Sequence, residues 1–133
     1  MNDRRHLQEN LLTTSTTHSD LIILRDQIRS FVNERDWAQF HTPKNLACAL
    51  SVEAAELLEP FQWLKNGSVE ELGPKGLQQV RYELADVLVY LIQLADIMEV
   101  DLHEAVQEKM ALNRLKYPAE QVRGDARKYD EYS

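Results

Sequence analysis

The acids that could do chemistry come in two pairs with the same internal spacing. Glu53 and Glu56 stand in "VEAAELLEPF", and Glu83 and Asp86 stand in "YELADVLVY". Residues three apart on a helix lie about 60° apart around the axis, so each pair projects to one side. Glu53 shares a stripe with Leu46, Leu50 and Leu57. Glu83 shares one with Val80, Val87, Tyr90 and Leu94. Two helices therefore set carboxylates at or beside an apolar seam. A desolvated carboxylate without a partner is unfavourable by several kcal/mol, on the order of the penalty for buried ions, and four together repel. The nearby stretches offer only Lys44 and Arg81 as cations. A bound metal ion is the better compensation. An all-oxygen ligand set suits Mg2+ or Mn2+. His6, His18, His41 and His103 lie outside the acid pairs, so the Glu-x-x-His repeats of di-iron bundles are absent. Magnesium held by a few carboxylates completes its shell with substrate phosphates, which points to metal-assisted attack on a phosphoric anhydride.

The elements that must position these acids read as helices. Asp20, or Ser19 before it, can cap a first helix through "LIILRDQIRSFVNERDW", with Leu21, Leu24, Ile28, Phe31 and Val32 at helical spacing. Thr42 followed by Pro43 starts a second, with a capping hydroxyl and then proline at the first helical position. Pro60 lacks the N–H that would donate to the carbonyl of Glu56, so this helix kinks or ends near Glu59. "KNGS" closes the segment, with Gly67 in a left-handed conformation. "GPKG" is a turn before a third helix from about Leu77 to Met98, apolar almost all round in "LADVLVYLIQLADIM" and so covered on several sides. Asp101 with Glu104 resembles a capping box at the head of a fourth helix, Leu102 to about Lys116, which Pro118 ends. No stretch reads as a strand. The expectation is an all-α four-helix bundle: a flexible arm over 1–18, a helical domain over 19–117 and a polar tail over 118–133.

Composition agrees with one globular domain. The 133 residues are 44% hydrophobic and 28% charged, with a net charge of −7. That balance argues against a nucleic-acid footprint and against anionic membrane surfaces. No apolar run reaches transmembrane length, and no h-region follows the N-terminal charges. The single cysteine, Cys48, fits a reducing cytoplasm and reads as a small buried residue among Ala47, Ala49 and Leu50.

The order of segments resembles a known family. "ERDWAQFHTPKNL", "EAAELLEPFQW", "YELADVLVYL" and "KMALNRLKYP", followed by "RGDARKY", resemble the MazG-like all-α nucleoside triphosphate pyrophosphohydrolases, and most closely their dCTP pyrophosphatase branch. The resemblance covers roughly residues 20–130. It implies hydrolysis of a nucleoside triphosphate, dCTP or a modified dNTP, to the monophosphate and pyrophosphate, as house-cleaning of the nucleotide pool. Glu53, Glu56, Glu83 and Asp86 match its magnesium-binding and catalytic acids. Lys109, Asn113 and Arg114 match its phosphate-binding region. Trp37, His41 and Trp63 match its base pocket, and Tyr90 is placed to pack on the sugar. The family further implies a homodimer or a homotetramer built as a dimer of dimers. Two departures bear on the base: Ile28 stands where the family has a base-contacting histidine, and Pro60 re-aims the segment carrying Trp63. Glu59 continues the three-residue step and rotates off the metal face, into a solvent or supporting role. The rival readings are a dUTP-type or broad-range pyrophosphohydrolase, and a non-enzymatic interaction protein with a metal-stabilised core.

Overall fold

The computed structural model describes residues 19–131, which leaves the expected arm over 1–18 outside the described residues. Among the described residues every regular element is helical: α1 (Asp20–Glu34), α2 (Pro43–Leu58), α3 (Val69–Ile97), α4 (Leu102–Lys116) and the short α5 (Ala119–Val122). Short 3-10 turns occupy Ala38–Phe40, Glu59–Phe61 and Tyr129–Glu131. The all-α expectation holds.

The helix starts are fixed by side-chain caps. Ser19, rather than Asp20, is the N-cap of α1, its hydroxyl accepting from the Ile22 N–H at 3.4 Å. Thr42 caps α2 by accepting from the Asn45 N–H at 3.1 Å, and Pro43 fills the first helical position without wasting a donor. Asp101 caps α4 by accepting from the Glu104 N–H at 3.0 Å. At its far end α2 stops at Leu58 and tightens into the 3-10 turn Glu59–Phe61, as the missing N–H of Pro60 requires.

The start of α3 differs from the expected turn. The element begins at Val69, and one residue, Gly73, leaves helical geometry with φ 66° and ψ 178°. Only glycine adopts that conformation without strain. Pro74 then begins the long second part at a position where its ring is tolerated. A single-residue break thus replaces a four-residue turn, and the long helix starts before Leu77.

The described residues divide into two compact units, with the break between Leu94 and Ala95. In the first, α1 contributes buried Val32, α2 buried Leu46 (1% exposed), and α3 buried Val80 and Ile92. In the second, Ala95 is buried and α4 carries Val106, Met110, Leu112 and Leu115 exposed. After α4, the Asp125 carboxylate accepts from the Arg127 guanidinium at 2.8 Å, which holds the acid below the usual carboxylate range.

Two expectations about burial are corrected. Cys48 is exposed. It lies two residues from Leu46, about 200° around α2, so the buried face of the helix is on the other side. Among the described residues the apolar second half of α3 is not covered on all sides. Leu84, Leu88 and Leu91 remain exposed among the described residues.

Candidate active site

α2 and α3 bring three carboxylates together. One oxygen from each of Glu53, Glu56 and Glu83 lies within 4.8 Å of the others, and all three residues are half-buried. Their placement follows from helix geometry. Leu46 turns one face of α2 inward and Val80 does the same for α3, so acids on the same stripes are carried toward the seam.

The electrostatics are unfavourable as they stand. Oε2 of Glu53 and Oε2 of Glu83 are buried and accept no hydrogen bond among the described residues. No described lysine, arginine or histidine pairs with Glu53, Glu56 or Glu83. Lys44 and Arg81 are exposed, and Arg81 donates instead to Gln78 Oε1 at 3.0 Å. Desolvation first, and then the charges of Glu56 and Asp86, push the Glu53 carboxyl above its ordinary range, with a hydrogen bond that its protonated form donates to Glu56 and the charge of Glu83 adding to the effect. Glu83 is raised by the same causes in the same order, desolvation, Glu56 and Asp86, and then by Glu59.

Asp86 is exposed and stands outside the close triad, although its charge bears on both Glu53 and Glu83. Glu59 is exposed too, yet it contributes to the field at Glu83. The donor set fits a hard divalent cation. It consists of oxygen atoms from two helices, close together, of one charge and with open lone pairs.

The aromatic candidates sit in different settings. Trp63 is 88% exposed in the segment after α2. Trp37 follows α1 and is also exposed; its ring meets Phe31 edge-on, with centroids 5.8 Å apart at 74°. The Arg35 guanidinium lies 3.7 Å over the other partner of that pair, Phe31, and donates to the Phe31 carbonyl at 2.9 Å. His41 ends the 3-10 turn Ala38–Phe40 and is half-buried, and Tyr90 on α3 is half-buried. Lys109, Asn113 and Arg114 lie on α4 in the second unit. Lys109 and Arg114 are exposed, and Asn113 is half-buried with its carbonyl accepting from the Tyr117 N–H at 2.8 Å. The sequence reading did not single out the Phe31–Arg35 support of Trp37. The spacing Phe31, Arg35 was its only signal: an aromatic and a cation four apart share a helix face.

Fold and site together define a class, the all-helical proteins that gather an unpartnered acidic cluster from two neighbouring helices. The chain belongs to the MazG-like family, whose model matches residues 48–132. It is 48% identical to human dCTP pyrophosphatase 1 over 106 residues, covering 76% of this chain and 61% of the human protein. It is 47% identical to the rat dCTP pyrophosphatase 1 over 104 residues, covering 74% of this chain and 59% of that protein. The chain thus spans about 60% of the length of these curated relatives. The crystal structure of a pyrophosphatase from Archaeoglobus fulgidus DSM 4304 superposes with a TM-score of 0.71 at 44% identity, covering 77% of this chain and 96% of that one.

Proposed function

We propose that the protein is a nucleoside triphosphate pyrophosphohydrolase that cleaves dCTP or a modified dNTP to the monophosphate and pyrophosphate. The observation that carries this is the triad of Glu53, Glu56 and Glu83, with one oxygen of each within 4.8 Å of the others, in which Glu53 Oε2 and Glu83 Oε2 are buried and unbonded among the described residues. A cluster of that kind is built for a cation and the phosphates it brings. The names of the relatives supply the reaction class.

Glu53, Glu56 and Glu83 would hold Mg2+ (or Mn2+), with Asp86 beside them. When bound, the ion supplies charge stabilisation on the triphosphate and on the departing pyrophosphate. The protein's own part is positioning and proton transfer. A carboxylate of the cluster accepts a proton from the attacking water as its oxygen bonds to the α-phosphorus and the α–β bridging bond breaks. Trp37, His41 and Trp63 are the proposed base contacts and Tyr90 the sugar contact. An exposed indole such as Trp63 offers a flat face for stacking. Lys109, Asn113 and Arg114 are proposed to bind phosphate, on the strength of the family resemblance.

The proposed assembly is a homodimer or homotetramer. The exposed leucine stripe Leu84, Leu88, Leu91 supports it. No described helix is long and apolar enough to cross a membrane. The proposed setting is the cytoplasm, in keeping with a lone cysteine that has no disulfide partner.

The deciding experiment is a panel of standard and modified nucleoside triphosphates with Mg2+, with products resolved by chromatography. Monophosphate and pyrophosphate are expected, fastest from cytosine deoxynucleotides. Release of inorganic phosphate, or no turnover of any triphosphate, would overturn the reading.

A further inference from the structure

The segment between α2 and α3 is held more firmly than its exposure requires. Trp63 stands in the middle of it, 88% exposed. Just beyond it, "SVEE" at 68–71 has the form of a capping box, serine at the N-cap and glutamate three residues on. Half of the box is made: Ser68 Oγ accepts from the Glu71 N–H at 3.2 Å. In the usual box the glutamate then turns back to the N–H of the capping residue itself. Glu71 reaches past it. One carboxylate oxygen accepts from the Lys65 N–H at 2.9 Å, and the other from the Asn66 N–H at 3.1 Å.

The same segment is tied at its other end. The Leu64 N–H donates to the Phe61 carbonyl at 2.9 Å, closing a turn with Trp63 at its third position. Phe61 in turn lies over Gly67, where an added Cβ would meet Cδ1 at 2.6 Å, and Gly67 has φ +73°. Trp63 is therefore enclosed between a ring-on-glycine contact and a two-pronged carboxylate clamp. Holding an exposed indole in one place has little value for the stability of the chain. It has value for a ligand, because a side chain already ordered need not be ordered on binding.

We propose that Glu71 is a positioning residue for nucleotide recognition: its carboxylate clamps the backbone at Lys65 and Asn66 and so presets Trp63 for stacking on the base. The stacking half of this rests on the proposed function; the clamp stands on the hydrogen bonds alone. Glu71 does not touch the substrate. It acts only through the turn.

The test is Glu71→Gln in the full chain. The variant keeps the backbone N–H that Ser68 accepts from, and it keeps the side-chain volume. It offers one acceptor oxygen where two N–H groups need one each. In protein free of metal and nucleotide, amide exchange at Lys65 and Asn66 should quicken about tenfold or more, with α2 unchanged. In 15N relaxation the Trp63 indole should become more mobile. With dCTP and Mg2+, KM should rise about fivefold or more while kcat stays within about twofold. Inhibition by inorganic triphosphate, which has the phosphates but no base, should be unchanged. A role in helix stability alone would instead weaken dCTP and inorganic triphosphate alike, and that result overturns the proposal. So does unchanged exchange at Lys65 and Asn66. A wild-type protein that turns over no nucleotide sinks the function reading separately. The exchange and indole measurements then still decide the clamp, and dCTP binding by the same indole signal decides the stacking.

Discussion

At Glu53 and Glu83 burial and neighbouring charge push in one direction, toward the protonated form. In the unfolded chain a glutamate ionises near pH 4 to 4.5, about its ordinary pKa, while in the folded metal-free protein these two hold their protons to higher pH. The stability they contribute is complete below the unfolded value and is lost as pH rises through the folded one. Glu53→Gln should therefore melt close to wild type near pH 4 in EDTA, and above wild type at pH 7. Magnesium should reverse the order at pH 7. It should raise the wild-type melting temperature by several degrees, since a ligand at one hundred times its Kd stabilises by about 2.7 kcal/mol, and raise that of Glu53→Gln far less. Melting curves across pH with and without Mg2+ check both signs. Glu56 is the acid whose charge is the largest neighbouring influence on both of the others. Glu56→Ala should lower kcat/KM by about 10²-fold or more with the helical circular dichroism intact, a loss on the scale seen when charge stabilisation is removed from an active site. A variant turning over normally in Mg2+ would remove the acids from the mechanism.

The elements hold these residues by local devices of calculable weight. Thr42→Ala removes the N-cap of the helix that bears Glu53 and Glu56, and should destabilise by about 1 kcal/mol in chemical denaturation. Two of the three glycines with positive φ, Gly67 and Gly73, should separate. At Gly73 nothing lies within 4 Å of an added Cβ, so Gly73→Ala meets backbone strain alone, about 1–3 kcal/mol. At Gly67 the Phe61 ring is in the way as well, so Gly67→Ala should be the worse of the two. Equal midpoints would contradict the Phe61 contact. Much of this level was legible in the sequence. The Thr42–Pro43 start, the stop before Pro60, the Asp101 cap and the end of α4 each depend on a residue type acting within four positions. What was hidden depends on more than local chemistry. Nothing in "GPKG" says that one glycine absorbs the whole bend while Pro74 restarts the helix. Cys48 sits in an apolar run, yet the face it occupies is decided by which side of α2 turns inward. The clamp by Glu71 was hidden because "SVEE" reads as an ordinary capping box, and the two donors it serves lie outside that motif. The close approach of Glu53, Glu56 and Glu83 was legible as two spacings. That Asp86 stays exposed beside them was not, because the relative rotation of two helices is a property of their packing.

On the scale of the molecule, the question is what covers α3. Leu84, Leu88 and Leu91 recur at helical spacing along one stripe, and all three are exposed. Monomers seldom leave a contiguous apolar stripe to water, and a stable interface buries about 800 Å² per partner, more than one helix face supplies. The stripe also interleaves with the acids: Leu84 follows Glu83 directly, and Asp86 falls between Leu84 and Leu88. Covering the stripe and holding the acids are then tasks of the same two turns of helix. Sedimentation equilibrium should give the wild type a mass that is a multiple of the 15.5 kDa chain. Leu84→Glu places a charge in the stripe and should shift that mass toward a single chain at micromolar concentration, while leaving the helical content near that of wild type. Its activity should then depend on concentration, recovering as the protein is concentrated and association resumes. A wild type that sediments as one chain, or a Leu84→Glu monomer with full specific activity at every dilution, would separate the site from any interface and leave the stripe without a partner copy.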